Sequence, residues 1–257
     1  MTTRRLSLSA IDGIPLVRPG DDVAALVLAA LAASGDSLID GDVLVIAQKI
    51  ISKAEDRYVS LSDVTPSPRA RELAAEVDKD PRIVELILSE ASEVVRHRPG
   101  VLIVAHRLGM VLANAGIDAS NVAEGGADDD RVLLLPVDPD GDCARLRREI
   151  RERTGADVAV IVSDSLGRAW RNGTVGVAIG AAGLPALLDI RGHEDLFGRP
   201  LQSSQIGIAD ELAAAASLLQ GQADEGIPAV VIRGFSVEGE TNPAKALIRD
   251  GDEDLFR

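Results

Sequence analysis

Three short apolar runs constrain this chain most: Asp42 to Ala47, Asp157 to Val162 and Ile227 to Ile232. Each has the length of a strand. The first is continuous, which predicts a strand buried on both faces, because a half-exposed strand would alternate apolar with polar residues. Helical stretches lie between the runs. Asp21 and Asp22 stand where they would cap an Ala/Leu-rich helix ending near Ala33. Cys143 to Thr154 reads as a charged amphipathic helix stopped by Gly155, and Ile208 to Leu219 as an Ala-rich helix. Pro81 opens a further helix expected to run to about Arg96, with Pro99-Gly100 ending it. Strands interleaved with helices predict a mixed α/β (α+β) fold. Its core must be aliphatic, since the only aromatic residues are Tyr58, Trp170, Phe197, Phe235 and Phe256.

At 257 residues the chain suffices for one large domain or two small ones. Lys and Arg number 27 against 41 Asp and Glu, a formal charge of −14. That balance argues against a general nucleic-acid or anionic-membrane binder, though not against a nucleotide, which needs only a few local cations. The single cysteine, Cys143, excludes an internal disulfide and reads as a packing residue. With neither an apolar signal core nor a run long enough to span a bilayer, the expected location is the cytoplasm.

Two segments carry oxygen-rich chemistry. Asn114-Ala115-Gly116-Ile117-Asp118-Ala119-Ser120-Asn121 follows the apolar run Val101 to Ala105 and its expected hairpin partner, Met110 to Ala113. Its amide, carboxylate and hydroxyl oxygens suit a hard cation such as Mg2+, with phosphates completing the shell. The same residues also suit an Asx-rich turn that binds nothing. The second is Ser163-Asp164-Ser165, at the expected end of the Asp157 strand and followed by Gly167-Arg168 and Arg171. Ligands of α/β proteins gather beyond the carboxyl ends of strands. Asp164 and Ser165 are therefore candidate cation ligands and the arginines candidate anion contacts, against the alternative of a capped loop with surface arginines.

Other segments divide similarly. Lys49 and Lys53, two of only four lysines, would share one face of a helix after the Asp42 strand. They make a plausible phosphate grip or an ordinary solvated surface; the glycines of a Walker A loop are missing. Gln220-Gly221-Gln222-Ala223-Asp224-Glu225-Gly226 either brings its backbone to a nucleotide or simply links helix to strand. The run Asp128-Asp129-Asp130, near Gly125 and Gly126, reads as a solvated loop rather than a metal site. His97 and His106 lack zinc-site spacing and read as structural in preference to ligand-lining.

Several of these segments, in this order, resemble the coenzyme F-420-0:L-glutamate ligase (gamma-glutamyl ligase) family. The likeness rests on Gly13 to Val17, Ile51 to Glu55, Asn114 to Val122, Ser163-Asp164-Ser165 with Gly167-Arg168, and Gly226 to Val230, and it covers nearly the whole chain. It implies a GTP-dependent ligase that adds L-glutamate to coenzyme F-420-0, then further gamma-linked glutamates, through an acyl phosphate, releasing GDP and phosphate. It also implies two sites for Mg2+ or Mn2+, assistance by K+, and a family-specific fold in an intertwined homodimer. By resemblance, Ile14, Pro15, Leu16 and Val17 lie beside the nucleotide. Lys53, Asn121 and the loop Gln220, Gly221, Gln222, Ala223, Asp224, Glu225, Gly226 and Ile227 contact it. Asp118 and Asp164 are metal ligands, and Ser165 and Gln222 serve the second metal.

One departure stands in the nucleotide segment. Gln48 and Lys49, also expected to contact the nucleotide, occupy positions where the family pattern has two small hydroxyl residues, which bears on that contact and on nucleotide choice. A fused form of the family carries a C-terminal nitroreductase-like domain; the sequence ends at Arg257, and a single ligase domain over residues 1–257 is expected. Two alternatives remain open from the sequence. One is a ligase of the same chemistry on another carboxylate acceptor. The other is a non-catalytic protein that binds metal and nucleotide.

Overall fold

The computed structural model describes residues 5–122 and 130–254. The Gly125-Gly126 and Asp128-Asp129 readings fall outside the described residues. In chain order the strands are β1 (Ser7–Ala10), β2 (Val43–Ala47), β3 (Tyr58–Ser60), β4 (Ala91–Arg98), β5 (Val101–His106), β6 (Val111–Ala113), β7 (Arg131–Leu133), β8 (Ala159–Arg168), β9 (Arg171–Ala182), β10 (Leu188–Asp189), β11 (Gln205–Ile206) and β12 (Ala229–Arg233). The α-helices are α1 (Val23–Ala33), α2 (Gln48–Ala54), α3 (Pro68–Val77), α4 (Pro81–Glu90), α5 (Pro139–Thr154) and α6 (Ile208–Gln220). The architecture is mixed α/β, as the apolar runs imply. Packing divides the chain into two compact units. One comprises residues 1–17, 21–51 and 137–247; the other comprises 18–20, 52–136 and 248–257.

The first unit is built on a five-stranded sheet in the order β1-β12-β2-β8-β9. Only β2 and β8 run parallel; the other neighbours are antiparallel. The central strand β2 is the continuous run of the sequence, and Val43, Leu44, Val45 and Ile46 are all buried. Successive side chains point to opposite faces, so burial of all four means both faces are covered. One face packs Val43, Val45, Ile161, Val230 and Ile232 against Ala209, Leu212, Ala213 and Ala216 of α6. The helix ends follow the sequence signals: Asp22 accepts from Ala25 N–H at the start of α1, and Gly155 closes α5 at φ +80°. However, α5 begins at Pro139, earlier than expected, because the turn-like Asp138-Pro139 is its N-cap and first residue.

The small helical residues have a partner requirement on β9. A Cβ added to Gly180 would lie 2.3 Å from the Pro139 carbonyl oxygen, and one on Gly176 would lie 2.4 Å from the Ala213 carbonyl oxygen. Both obstacles are backbone, which cannot step aside as a side chain can. Gly180→Ala is therefore expected to lower stability by about 1–3 kcal/mol through overpacking, read as a drop in melting temperature. An unchanged melting temperature would show that α5 moves off the sheet freely.

The second unit packs α3 and α4 against the antiparallel sheet β4-β5-β6. Ala70, Leu73, Val77, Val84, Ile87, Leu102 and Val104 form its core. Both helices start with Pro after a capping side chain, Ser67 and Asp80. The helix expected to reach Arg96 ends at Glu90. Ala91 to Arg98 is instead strand β4, where β-branched Val94 and Val95 suit the pleat. Pro99-Gly100 is the hairpin turn joining β4 to β5, with Gly100 at φ +86°. A separate two-stranded ladder pairs β3 with β7.

Candidate functional site

In the first unit, sheet topology gathers sequence segments that lie far apart. At one end of the sheet the ladder aligns Ala10 with Val230, Ala229 with Ile46, and Ala47 with Ser163. The chain therefore leaves β1, β2 and the parallel-paired part of β8 at this end and enters β12 from it. Backbone bonds close the edge: Ile11 N–H donates to the Ala229 carbonyl (3.0 Å), and Ala47 N–H to the Pro228 carbonyl (2.7 Å). Four segments consequently emerge beyond one edge: Ile14 to Val17, Gln48-Lys49, Asp164-Ser165 and Gln220 to Ile227.

The expected stop of the Asp157 strand does not occur. Strand β8 continues through Asp164 to Arg168, paired with β9 as a ribbon that extends past β2. Polar residues can form this ribbon because pairing with β9 satisfies its backbone. Its register shifts between Val162 and Ser163, at the sheet edge and just before Asp164. Bulges of this kind re-aim side chains and are over-represented beside active sites. Asp164 accepts a 2.8 Å bond from Ser165 N–H. At the far end of the ribbon Arg168 donates to the Asn172 carbonyl (3.3 Å), and Trp170 is 87% exposed at φ +64°.

The other segments at the edge are short loops and a helix start. Residues 14–17 form an irregular stretch in which Leu16 is exposed and Val17 buried. Gln48 begins α2 and is 2% exposed, so its side chain is a structural element of the edge; Lys49 is half-buried. The Gln220 to Ile227 loop turns at Gly221 (φ +71°) and Gly226 (φ +69°). Its shape is held from within by Glu225, whose carboxylate accepts from Ala223 N–H at 2.8 Å. That bond draws the Glu225 carboxyl below the usual carboxylate range. A side chain at Gly221 would collide with the same carboxylate.

The second unit holds Lys53, near the end of α2, together with Asp118 and Asn121. The Asn114 segment is a tight turn: Asn114, Ala115, Gly116 and Asn121 all have positive φ. Asn114 serves the fold, since its Oδ1 accepts from Leu102 N–H (3.2 Å). Asp118 is held differently. Its N–H donates to the Leu133 carbonyl (3.0 Å) and its carbonyl accepts from Leu133 N–H (2.9 Å), so its backbone is fixed independently of its carboxylate. Asn121 is exposed. Asp130, from the acidic run, accepts from Ser60 Oγ and Ser62 N–H. His97 sits 3.6 Å from Glu76, and His106 is buried.

A model of the F420-0:gamma-glutamyl ligase family matches residues 13–234. The chain belongs to that family. Its relatives include the coenzyme F420:L-glutamate ligase of Methanothermobacter thermautotrophicus, 47% identical across 98% of this chain and 99% of that one. The like-named enzyme of Methanopyrus kandleri is 48% identical across 96% and 97%. That of Haloarcula marismortui is 44% identical across 98% and 96%.

Within this gamma-glutamyl ligase the donor set is uniform in chemistry. Asp164, Ser165 and Gln222 of the first unit, and separately Asp118 of the second, offer carboxylate, hydroxyl and amide oxygens, the donor chemistry that hard cations such as Mg2+ or Mn2+ take. Among the described residues no group of three or more His, Cys, Asp or Glu side chains could hold a metal. Among the described residues, no helix is long and apolar enough to cross a membrane.

Proposed function

We propose that this ligase joins L-glutamate to coenzyme F-420-0, and further glutamates in gamma linkage, at the expense of GTP. The observation that carries the reading is the convergence of Ile14 to Val17, Lys49, Asp164-Ser165 and Gln220 to Ile227 on one sheet edge. Family membership supports the glutamate and F-420-0 chemistry; the oxygen donors and lysines support a metal-bound nucleotide.

The chemistry needs two displacements. A terminal carboxylate oxygen of the acceptor attacks the γ-phosphorus of GTP, the bond to the β-phosphate oxygen breaks, and GDP leaves. The amine of L-glutamate then attacks the acyl carbon of the resulting acyl phosphate, phosphate leaves, and the amine gives a proton to solvent. The first step brings one anion to another, so positive charge is its main requirement. Lys53 and Lys49 supply ammonium groups for phosphate oxygens. Gly221 and Gly226 let the 220–227 backbone approach the nucleotide closely, and Asn121 offers an amide to it. Asp118 and Asp164 would hold divalent metal, with Ser165 and Gln222 serving a second ion; the metals would neutralise phosphate charge. In this reading K+ assists, and the working form is an intertwined homodimer in the cytoplasm.

Incubation with F-420-0, L-glutamate, GTP and Mg2+ or Mn2+, followed by mass spectrometry, tests the proposal. Glutamate additions that require both GTP and metal are expected. Folded protein that adds none would transfer the chemistry to another acceptor or reduce the chain to a binding role.

A further inference from the structure

Glu90 is the last residue of α4 and is 9% exposed. Its Oε1 accepts from Arg57 Nη2 (3.0 Å) and its Oε2 from Arg107 Nε (2.9 Å). His106 Nε2 faces Oε2 at 3.4 Å. The Leu108 N–H donates to His106 Nδ1 (3.1 Å), so the ring's proton resides on Nε2, toward the carboxylate. Two arginines thus donate to one carboxylate, which is their common anchor, with His106 packed beside it.

The two arginines do more than pair with Glu90. Arg57 Nε donates to the Leu135 carbonyl (2.9 Å), and Arg107 Nη2 donates to the Pro136 carbonyl (2.9 Å). The Arg57 carbonyl accepts from Leu134 N–H (3.1 Å). Residues 134–136 are therefore tied at three successive positions by side chains or backbone of the Glu90 cluster. The preceding residue, Leu133, makes the paired backbone bonds with Asp118. On the other side of β7, Leu133 is in register with Tyr58, the neighbour of Arg57, and Tyr58 Oη donates to the Val122 carbonyl (3.2 Å). Asp118 is thus fixed at one remove from the cluster by a path of hydrogen bonds, all within the second unit.

We infer that Glu90 is a positioning residue: with Arg57 and Arg107 it clamps residues 134–136 and thereby sets the backbone from which the Asp118 carboxylate reaches a divalent cation. This rests on the reading of Asp118 as a metal ligand. A supporting contact that orients a metal ligand typically affects affinity by about 10–100-fold. Glu90→Gln keeps the side chain's shape but removes the charge that holds both guanidinium groups, so the clamp loosens without a cavity.

The test is Mn2+ binding to the full chain, titrated by electron paramagnetic resonance at a temperature where every variant is folded. Glu90→Gln, Asp118→Asn and Val77→Ala are compared with the unmodified protein. Val77→Ala trims the core of the same unit outside the cluster, so it lowers stability without touching the clamp. The expected result is an Mn2+ dissociation constant raised about tenfold in Glu90→Gln, raised further in Asp118→Asn, and unchanged in Val77→Ala. Unchanged affinity in Glu90→Gln beside a loss in Asp118→Asn overturns the positioning role and leaves the metal reading intact. Unchanged affinity in Asp118→Asn overturns the metal reading and the clamp with it. Equal loss in Glu90→Gln and Val77→Ala would reduce Glu90 to a stability residue.

Discussion

Asp118→Asn is expected to reduce the proposed GTP-driven glutamate addition by about 100–1,000-fold, the usual consequence of removing one electrostatic stabiliser from a charge-neutralising site. The fold should hardly notice. The paired bonds between Asp118 and Leu133 are made by backbone atoms and survive the change. Asn also matches Asp in size. The check is a rate by mass spectrometry beside a thermal melt of the same preparation. Activity at the unmodified level would remove Asp118 from the mechanism. Activity lost together with the cooperative melt would show that its carboxylate supports the turn rather than the chemistry.

The sequence was informative where one physical signal dominated. The continuous run of β2 could only be a doubly covered strand, and the Asp22 and Gly155 helix ends follow from local hydrogen bonding and positive φ. It was weaker where two signals overlapped. Residues 83–96 carry apolar residues at helical spacing, but Val94 and Val95 also suit a strand, and only pairing with β5 decides the boundary at Glu90. The extension of β8 through Asp164 had no apolar pattern to announce it, because a projecting ribbon is held by its partner strand rather than by burial. The candidate segments could be read one by one; their convergence came from the family resemblance alone, since in physical terms it depends on which strands are neighbours and in which direction each runs. Glu90 was missed because a glutamate near a helix end reads as a surface charge. A signal existed: Glu90 lies three residues after Ile87 and six after Val84, both buried, and so falls on the inward face of α4.

Glu90→Ala should cost about 3 kcal/mol at neutral pH, the lower end of the range for breaking a buried ion pair, because Arg57 and Arg107 are only partly covered and regain some hydration. The loss should also depend on pH in a definite direction. Burial by itself would raise the Glu90 carboxyl, but the neighbouring His106, the bond from Arg107 and the charges of both arginines outweigh it and hold the group down at about 2, against an ordinary 4.5. A carboxyl lowered on folding contributes its stability above the unfolded value and loses it as pH falls toward the folded one. The Glu90 contribution is therefore complete above about pH 5 and declines between about pH 4.5 and pH 2. At pH 3 roughly 2 kcal/mol of it should be gone, at about 1.4 kcal/mol per pH unit over most of that interval. Urea unfolding of both proteins at pH 7 and pH 3 measures the effect of the cluster, because groups outside it keep the same surroundings in the two. The stability difference between them should shrink from about 3 to about 1 kcal/mol on acidification. A difference that stays constant with pH would mean that Glu90 stabilises α4 through packing of its methylene stem, with the ionic cluster contributing nothing net.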